Sequence, residues 1–259
     1  MQKVIFTDLN DSILDDKCSV SKSMQIVKQI KSKKIPLVFC SDKTRAEIES
    51  YQQKLGINEP FIAENGGAIF IPPGYFDFIF KFDRKISGYL VVQLGTEYSK
   101  LCSMIKRIKM QGIPLKSFCE MPAKQIAHET GMSMVQARLA KQCEFNEPFK
   151  MFKEDEPEVA RIIRANGMDY IKKGDYCYLI GKNDEKKAVN ILTGLLKKKY
   201  KQVKTFGIGH SEHHINMLEE VDSPVMLMKK DRTFASKKFK KVSASGVEGF
   251  KKAVKSVIG

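Results

Sequence analysis

The fold follows from the stretch Val4-Ile5-Phe6-Thr7-Asp8-Leu9-Asn10-Asp11-Ser12, in which an apolar run leads directly into side chains that carry oxygen. Short apolar runs of this kind are typical of buried strands in a parallel sheet. Ligands bind beyond the carboxyl ends of such strands, which is where Asp8 is expected to lie. Asp8 is therefore the leading candidate for a nucleophile.

The segments that follow alternate helices with strands. Residues 35–40 form a second apolar run, and Thr44 and Glu47 have the spacing of a capping box at a helix start. Gly56 can take the left-handed conformation that ends such a helix, and residues 60–63 read as a third strand. This order of strands and helices predicts a parallel sheet.

The pattern changes near Phe82, beyond which strands and helices mix until a return strand at about residue 178. Such a segment predicts a separate α+β unit inserted into the first one. We therefore predict an α/β protein with a Rossmann-like parallel-sheet core at residues 1–82 and 179–259. An inserted α+β cap domain is expected at residues 83–178.

The composition excludes several classes of protein. With 259 residues, 42% of them hydrophobic and 29% charged, the chain can bury a core and is neither disordered nor collagen-like. No apolar stretch approaches the roughly 20 residues that cross a bilayer. Asp8 also comes too early for the apolar region of a signal peptide. We expect no membrane partner and a cytoplasmic location.

The cysteines show no metal-binding or disulfide pattern. There are six, without a Cys-x-x-Cys pair or regular spacing. In a chain without a secretion signal they are expected to be reduced thiols that are mostly buried as small apolar groups. They are Cys18, Cys40, Cys102, Cys119, Cys143 and Cys177.

The formal net charge of +15 has two interpretations. Lysines cluster at residues 197–201, 229–232 and 237–241 and in the last helix, which could attract nucleic acid or steer an anionic substrate. Alternatively, they form a solvated surface. No helix-turn-helix, RNA-recognition or zinc-finger pattern accompanies the charge, and this favours the solvated surface.

Several segments resemble known phosphatases. The first stretch is similar to the signature Asp-x-Asp-Gly-Thr of the haloacid dehalogenase superfamily, with Asn10, Asp11 and Ser12 at the altered positions. Further segments resemble the mannosyl-3-phosphoglycerate phosphatase family, and the similarity extends from Val4 to about Met228. These segments are residues 40–47, 60–72, 130–132, 137–140 and 146–149.

The resemblance implies hydrolysis of a phosphomonoester through an aspartyl-phosphate intermediate, with Asp8 as nucleophile and Mg²⁺ ligand. Asn10 stands at the position of the general acid, and its backbone carbonyl can still bind Mg²⁺. An amide cannot carry the proton, and losing general acid-base help costs about 10²- to 10⁴-fold in rate. The expected consequence is slow turnover or a trapped phosphoenzyme.

The resemblance also implies the groups that bind the phosphate. Ser41 matches a hydroxyl donor, and Lys43 and Arg45 open the next helix, where an anion can be held. Asn65 and Gly66 fall in a segment shared with the family and are expected at the same site.

Two further positions differ or remain open. The phosphate-binding lysine of the third motif aligns with Glu185, and Lys187, which matches the motif's second lysine, is either a phosphate donor or a solvated residue. In the cap domain, Arg138 and Glu147 match positions that would select mannosyl-3-phosphoglycerate, an anionic sugar ester. The alternative is a structural ion pair.

The fourth motif is the most altered. His210 and His214 stand where the family has two Mg²⁺-binding Asp residues, and His213 replaces an Asn. Mg²⁺ prefers oxygen ligands, so its affinity should fall. Either Asp8, His210 and His214 now bind a transition metal such as Zn²⁺ or Mn²⁺, or an unused site has eroded. No other change in the pattern compensates for these substitutions, which favours erosion.

Three hypotheses for function follow. The first is an impaired phosphatase that acts on a sugar phosphoglycerate such as mannosyl-3-phosphoglycerate. The second is a catalytically inactive relative that binds a phosphorylated ligand. The third, from a different class, is a basic protein that associates with nucleic acid.

Overall fold

The computed structural model describes residues 1–258. Its strands are β1 (Gln2–Thr7), β2 (Leu37–Phe39), β3 (Phe61–Ala63), β4 (Ala68–Ile71), β5 (Arg84–Ile86), β6 (Tyr89–Gln93), β7 (Leu115–Ser117), β8 (Asn146–Met151), β9 (Asp169–Lys173), β10 (Tyr176–Ile180), β11 (Val203–Gly209), β12 (Ser223–Leu227) and β13 (Lys240–Val242). Its α-helices are α1 (Met24–Ser32), α2 (Arg45–Leu55), α3 (Tyr98–Met110), α4 (Ala123–Thr130), α5 (Met134–Ala140), α6 (Glu156–Ala165), α7 (Glu185–Tyr200), α8 (Ile215–Glu219) and α9 (Gly246–Ile258). A short 3-10 helix at Glu212–His214 leads into α8.

The core sheet has five parallel strands in the order β13-β12-β11-β1-β2. Side chains alternate across β1, so that Ile5 packs with α1, α2 and α9 on one face while Val4 and Phe6 pack with α7 and α8 on the other. The parallel order with helices on both faces confirms the predicted α/β fold class.

Two antiparallel sheets accompany the core. One has the strand order β3-β4-β6-β5, and the other, β7-β8-β10-β9, packs against α3 and α6. Because β6 pairs with β4 of the core half and β5 pairs with β6, the strand pairing favours a cap domain that begins after Gln93. The predicted start at residue 83 precedes both strands, whereas the predicted end at residue 178 lies within β10.

The buried carboxylate of Glu64 joins the core to the cap domain. It follows β3, has a positive φ of 52°, and accepts backbone N–H groups of Glu144, Phe145 and Asn146 at 2.8–3.0 Å. Asn183 reinforces the junction, since its Nδ2 donates to the carbonyls of Glu64 and Phe145. These bonds fix the start of β8 against the edge of the core sheet.

The sequence predicts both ends of α2 correctly. Thr44 and Glu47 form the predicted capping box, and Gly56 ends the helix with a φ of +61°. Between residues 1 and 258, no helix has both the length and the apolar character that crossing a bilayer requires.

Candidate active site

Residues that follow three successive strands line one small cavity. Asp8 follows β1, Ser41 follows β2 and Asn65 follows β3, and Lys173 from β9 of the cap domain closes the other side. The cavity has a volume of about 20 Å³, enough for about one water molecule. The ends of three strands thus meet at one place, as the sequence predicts, and the cavity is smaller than a phosphoryl group.

Asp8 is buried and held from two sides. Its Oδ1 accepts a hydrogen bond from Ser41 Oγ at 2.5 Å, and its Oδ2 lies 3.3 Å from Nε2 of His214. His214 Nδ1 accepts the backbone N–H groups of His210 and Ser211, which places the ring proton on Nε2, facing Asp8.

The surroundings favour an ionised Asp8. Burial by itself raises the pKa of Asp8, but the contact with His214, the charge of Lys173 and the Ser41 hydrogen bond outweigh it and hold that pKa below its usual range. Asp8 is therefore an anion at neutral pH, as a nucleophile requires.

The amide of Asn10, at the expected position of the general acid, is hydrogen-bonded to another residue. Asn10 Nδ2 donates to Asp42 Oδ1 at 3.1 Å, and Asp42 Oδ2 lies 2.5 Å from Lys173 Nζ. Neither Asp42 nor Lys173 is among the site residues predicted from the sequence. Asp42 directly follows Ser41, a position that could have marked it, whereas Lys173 reaches the site only because the cap domain packs on the core.

Glu185 occupies the position expected for a phosphate-binding lysine. It lines the small cavity and accepts a hydrogen bond from Cys40 Sγ at 3.2 Å. Neither neighbouring lysine compensates, because Lys186 pairs with Glu219 at 2.5 Å and Lys187 is exposed on α7. Of the two alternatives for Lys187, its exposure favours the solvated residue over the phosphate donor.

Arg45 and Lys43 do not face Asp8 either. Arg45 lies at the junction of the two domains, where its guanidinium pairs with Glu49 and Glu144. Lys43 pairs with Glu47 of the next helical turn at 3.0 Å. Arg45 therefore has a structural role here, in contrast to the predicted anion contact, while Lys43 faces a second cavity.

A larger cavity adjoins the small one between core and cap domain. It measures about 320 Å³, within the size range of small-molecule sites, and Asp42 and Tyr178 line both cavities. Its other lining residues include Lys43, Thr44, Phe118, Thr130, Met132, Asn146, Pro148 and Tyr176.

Arg138 and Glu147, the predicted selectivity residues, lie outside the larger cavity. Side chains alternate along β8, so Asn146 and Pro148 line the cavity while Glu147 between them points to the opposite face, toward Cys119. Arg138 is exposed on α5. The two form no ion pair within the described residues, so the structure supports neither of the predicted alternatives for them.

Gly66 lets the loop after β3 approach α7. It has a φ of +79°, and a Cβ atom there would lie 2.3 Å from the backbone nitrogen of Glu185. Asn65 beside it also has a positive φ, and its Nδ2 is buried without a hydrogen-bond partner in the described structure. Asn65 therefore offers an unused donor to a ligand in the small cavity.

The residues at the predicted metal site do not suit Mg²⁺. Of the side chains predicted there, only Asp8 offers a carboxylate, and His210 and His214 offer ring nitrogens where carboxylates are expected. The ring of His210 lies 3.6 Å from Asp11. A transition metal is not favoured either. Within residues 1–258, one group of three histidine, cysteine or acidic side chains brings ligand atoms within 4.8 Å, and it lies in the cap domain.

The carboxyl of Glu185 gives stability a pH dependence. Burial raises its pKa from an ordinary value of 4.5 to about 7. The unfolded chain therefore releases this proton at lower pH than the folded protein, so that the free energy of unfolding falls as pH rises from 4.5 through 7. Glu185→Gln has no such proton to release. The difference in free energy of unfolding between this variant and the wild type is therefore expected to grow, in favour of the variant, as pH rises from 4.5 to 7.

Denaturant unfolding of both proteins across that interval checks this prediction. Exposed Glu154→Gln in the cap domain controls for the loss of one surface charge. A difference between wild type and Glu185→Gln that stays constant with pH contradicts it.

Comparisons with known proteins identify relatives of this chain. A family model of haloacid dehalogenase-like hydrolases matches residues 5–88. A glucosyl-3-phosphoglycerate/mannosyl-3-phosphoglycerate phosphatase from Methanococcoides burtonii is 35% identical over 100% of this chain and 98% of its own length. A mannosyl-3-phosphoglycerate phosphatase from Pyrococcus horikoshii is 30% identical over 86% of this chain and 89% of its own.

Solved structures show the same fold at low sequence identity. A haloacid dehalogenase-like hydrolase from Bacteroides thetaiotaomicron superposes with a TM-score of 0.70 at 13% identity, covering 99% of this chain and 100% of its own. Another from B. subtilis has a TM-score of 0.68 at 15% identity, covering 97% and 98%. The cap domain is included in both superpositions, so the architecture of core plus insert is shared.

Proposed function

The chain belongs to the glucosyl-3-phosphoglycerate/mannosyl-3-phosphoglycerate phosphatase family of haloacid dehalogenase-like hydrolases, and from this we propose that it hydrolyses a sugar 3-phosphoglycerate slowly through Asp8. One observation carries the proposal. An ionised, buried Asp8, hydrogen-bonded to Ser41, lies beside the unused donor of Asn65 and the cation of Lys173, next to a cavity of about 320 Å³.

The residues present divide the reaction in two. In the first step an Asp8 oxygen bonds to phosphorus and the ester P–O bond breaks, releasing the sugar glycerate as an alkoxide. Ser41, Asn65 and Lys173 bind the phosphoryl oxygens as charge spreads over them. In the second step water attacks phosphorus, which frees inorganic phosphate and regenerates the Asp8 carboxylate.

The substitutions are the reason for proposing a low rate. Asn10 cannot protonate the alkoxide, so the proton comes from water, and about 10²- to 10⁴-fold of rate is lost. Family members use Mg²⁺ to neutralise charge between phosphate and nucleophile, and the histidines at positions 210 and 214 weaken that site. Glu185 adds a carboxyl where the family places a lysine. Each change removes stabilisation from the transition state.

A second function is supported by the closed conformation. The ion pair between Lys173 and Asp42 shuts the small cavity, so the protein has a well-defined closed form that a phosphorylated ligand could open or replace. A relative that binds such a ligand without turning it over needs no general acid and no Mg²⁺. The two functions differ only in phosphate release.

Phosphate release from mannosyl- and glucosyl-3-phosphoglycerate tests the proposal, run in parallel with Mg²⁺, Mn²⁺ and Zn²⁺. Slow release that Asp8→Asn abolishes is the expected result. Binding measured by calorimetry without release supports the second function. Release at ordinary enzymatic rates with Mg²⁺ contradicts the proposed impairment, and absence of both binding and release contradicts the substrate class.

The lysine-rich surface leaves nucleic-acid association as a separate hypothesis. Several of these lysines pair with acids, including Lys230 with Asp11 at 3.0 Å and Lys238 with Glu219 at 2.7 Å, which reduces the free positive charge. Nucleic-acid binding predicts an affinity that falls steeply with salt. Anisotropy measurements at several salt concentrations decide it, since absent or salt-independent binding leaves only a solvated surface.

A further inference from the structure

Three side chains in the cap domain bring metal-binding atoms together at a place separate from the phosphate site. Cys102 lies on α3, Cys119 follows β7 and Glu147 lies on β8, and one ligand atom from each lies within 4.8 Å of the other two. We call this group the cap thiol cluster. Its members are far apart in sequence and meet only in the folded domain, which is why their spacing shows no metal-binding pattern.

Glu147 is the observation that points to a ligand. The residue is 0% exposed, and its Oε1 accepts the backbone N–H of Cys119 at 2.8 Å. Its Oε2 is also buried and has no hydrogen-bond partner of standard geometry in the described structure, and the Tyr98 hydroxyl is close enough to lower the pKa of the carboxyl against the larger effect of burial. Burying a polar atom without a partner costs free energy, and a bound cation at this oxygen would remove the cost.

We propose that the cap thiol cluster binds one zinc ion through Cys102 Sγ, Cys119 Sγ and Glu147 Oε2. Two thiolates with a carboxylate suit a borderline divalent ion, and zinc accepts both kinds of ligand. The sulfur atoms disfavour Mg²⁺, and the carboxylate disfavours Cu⁺. Binding releases the protons of the two thiols, and a water completes the tetrahedron because both cysteines are partly accessible to solvent.

The surroundings already orient two of the ligands. Ser117 Oγ lies 3.2 Å from Cys119 Sγ, and the N–H of Cys119 holds the Glu147 carboxylate in place. A zinc ion here links α3 to the edge of the cap sheet. Phe118, Asn146 and Pro148 line the larger cavity directly beside these ligands, so the ion stabilises one wall of the proposed substrate site.

Metal titration of the full-length, reduced protein tests the proposal. Zinc competed against a chromophoric chelator is expected to bind at one equivalent, and cobalt to show thiolate-to-metal charge-transfer absorption. Cys102→Ser and Cys119→Ser should each weaken zinc binding by at least about 100-fold. Glu147→Gln keeps the side-chain volume and an oxygen that accepts the backbone N–H of Cys119. Weaker zinc binding by this variant therefore reports the lost negative charge and not lost packing.

Matched controls locate the site. Cys177→Ser removes another thiol of the cap sheet and is expected to keep zinc binding, as is the double variant His210→Ala, His214→Ala. The proposal is overturned if reduced protein takes up no stoichiometric zinc, if the serine variants bind as tightly as the wild type, or if the histidine variant alone loses the ion.

Discussion

The combined variant Asn10→Asp, Glu185→Lys, His210→Asp, His214→Asp is expected to release phosphate from mannosyl-3-phosphoglycerate at least about 100-fold faster than the wild type in the presence of Mg²⁺. The carboxyl introduced at position 10 supplies the proton that the alkoxide needs. The two carboxylates that replace the histidines provide oxygen ligands for Mg²⁺, and the lysine that replaces Glu185 neutralises the phosphate. Steady-state phosphate release with and without Mg²⁺ measures the gain.

Two further variants separate the causes. The set without Asn10→Asp isolates the general acid, because its metal ligands are restored while the proton donor is not. Adding Asp8→Asn to the full set must abolish release if Asp8 is the nucleophile. Asn10→Asp alone should gain little, since it places a third carboxylate beside Asp8 and Asp42, and Lys173, the cation between them, already pairs with Asp42. A full set no faster than the wild type would show that activity was lost for a deeper reason.

The parts of the fold that sequence predicted are those with local causes. The capping box of Thr44 and Glu47 and the left-handed Gly56 involve neighbours within one helix, and the apolar runs of β1 and β11 are long enough to be read without their partners. The sequence pattern does not predict strands β5 and β13. Each is polar and at least partly exposed, and each forms only because a neighbouring strand offers backbone hydrogen bonds.

The site residues also differ in whether local sequence predicts their positions. Asp8, Ser41 and Asn65 each follow a strand, so a sheet prediction brings them together without further information. Lys173 could not be found in this way, because its position depends on how a polar strand of the cap domain packs on the core. Arg45 is expected to contact an anion because it opens α2, but its side chain points toward Glu49 and Glu144 at the domain junction.

Lys173 can be either a latch or an anion-binding group, and the two roles predict opposite results. As a latch, its ion pair with Asp42 holds the cap domain closed and competes with the ligand. As an anion-binding group, it transfers from Asp42 to the phosphate when the ligand enters. The charge of Asp42, with that of Asp8, raises the pKa of Lys173 despite its burial, so the side chain is cationic in either role.

We expect Lys173→Met to weaken binding of 3-phosphoglycerate and of inorganic phosphate about 10- to 100-fold. A charge-assisted hydrogen bond contributes about 1.5–3 kcal/mol, and Asp42 would be left without its cation beside the incoming anion. Isothermal calorimetry at low salt measures the loss. Lys172→Met is the matched control, because Lys172 is the preceding residue on β9, is exposed and pairs with Glu156 instead.

Asp42→Asn changes the other partner of the same ion pair and serves as the reference for Lys173→Met. It removes a negative charge from the small cavity and frees Lys173, so it is expected to tighten phosphate binding whether or not the latch matters. Tighter binding in Lys173→Met as well would mean that closure, and not attraction, is what this lysine controls. Weaker binding in Lys173→Met together with tighter binding in Asp42→Asn would show that Lys173 of the cap domain binds the phosphate. It would then supply the positive charge that the core lacks because Glu185 stands at the expected lysine position.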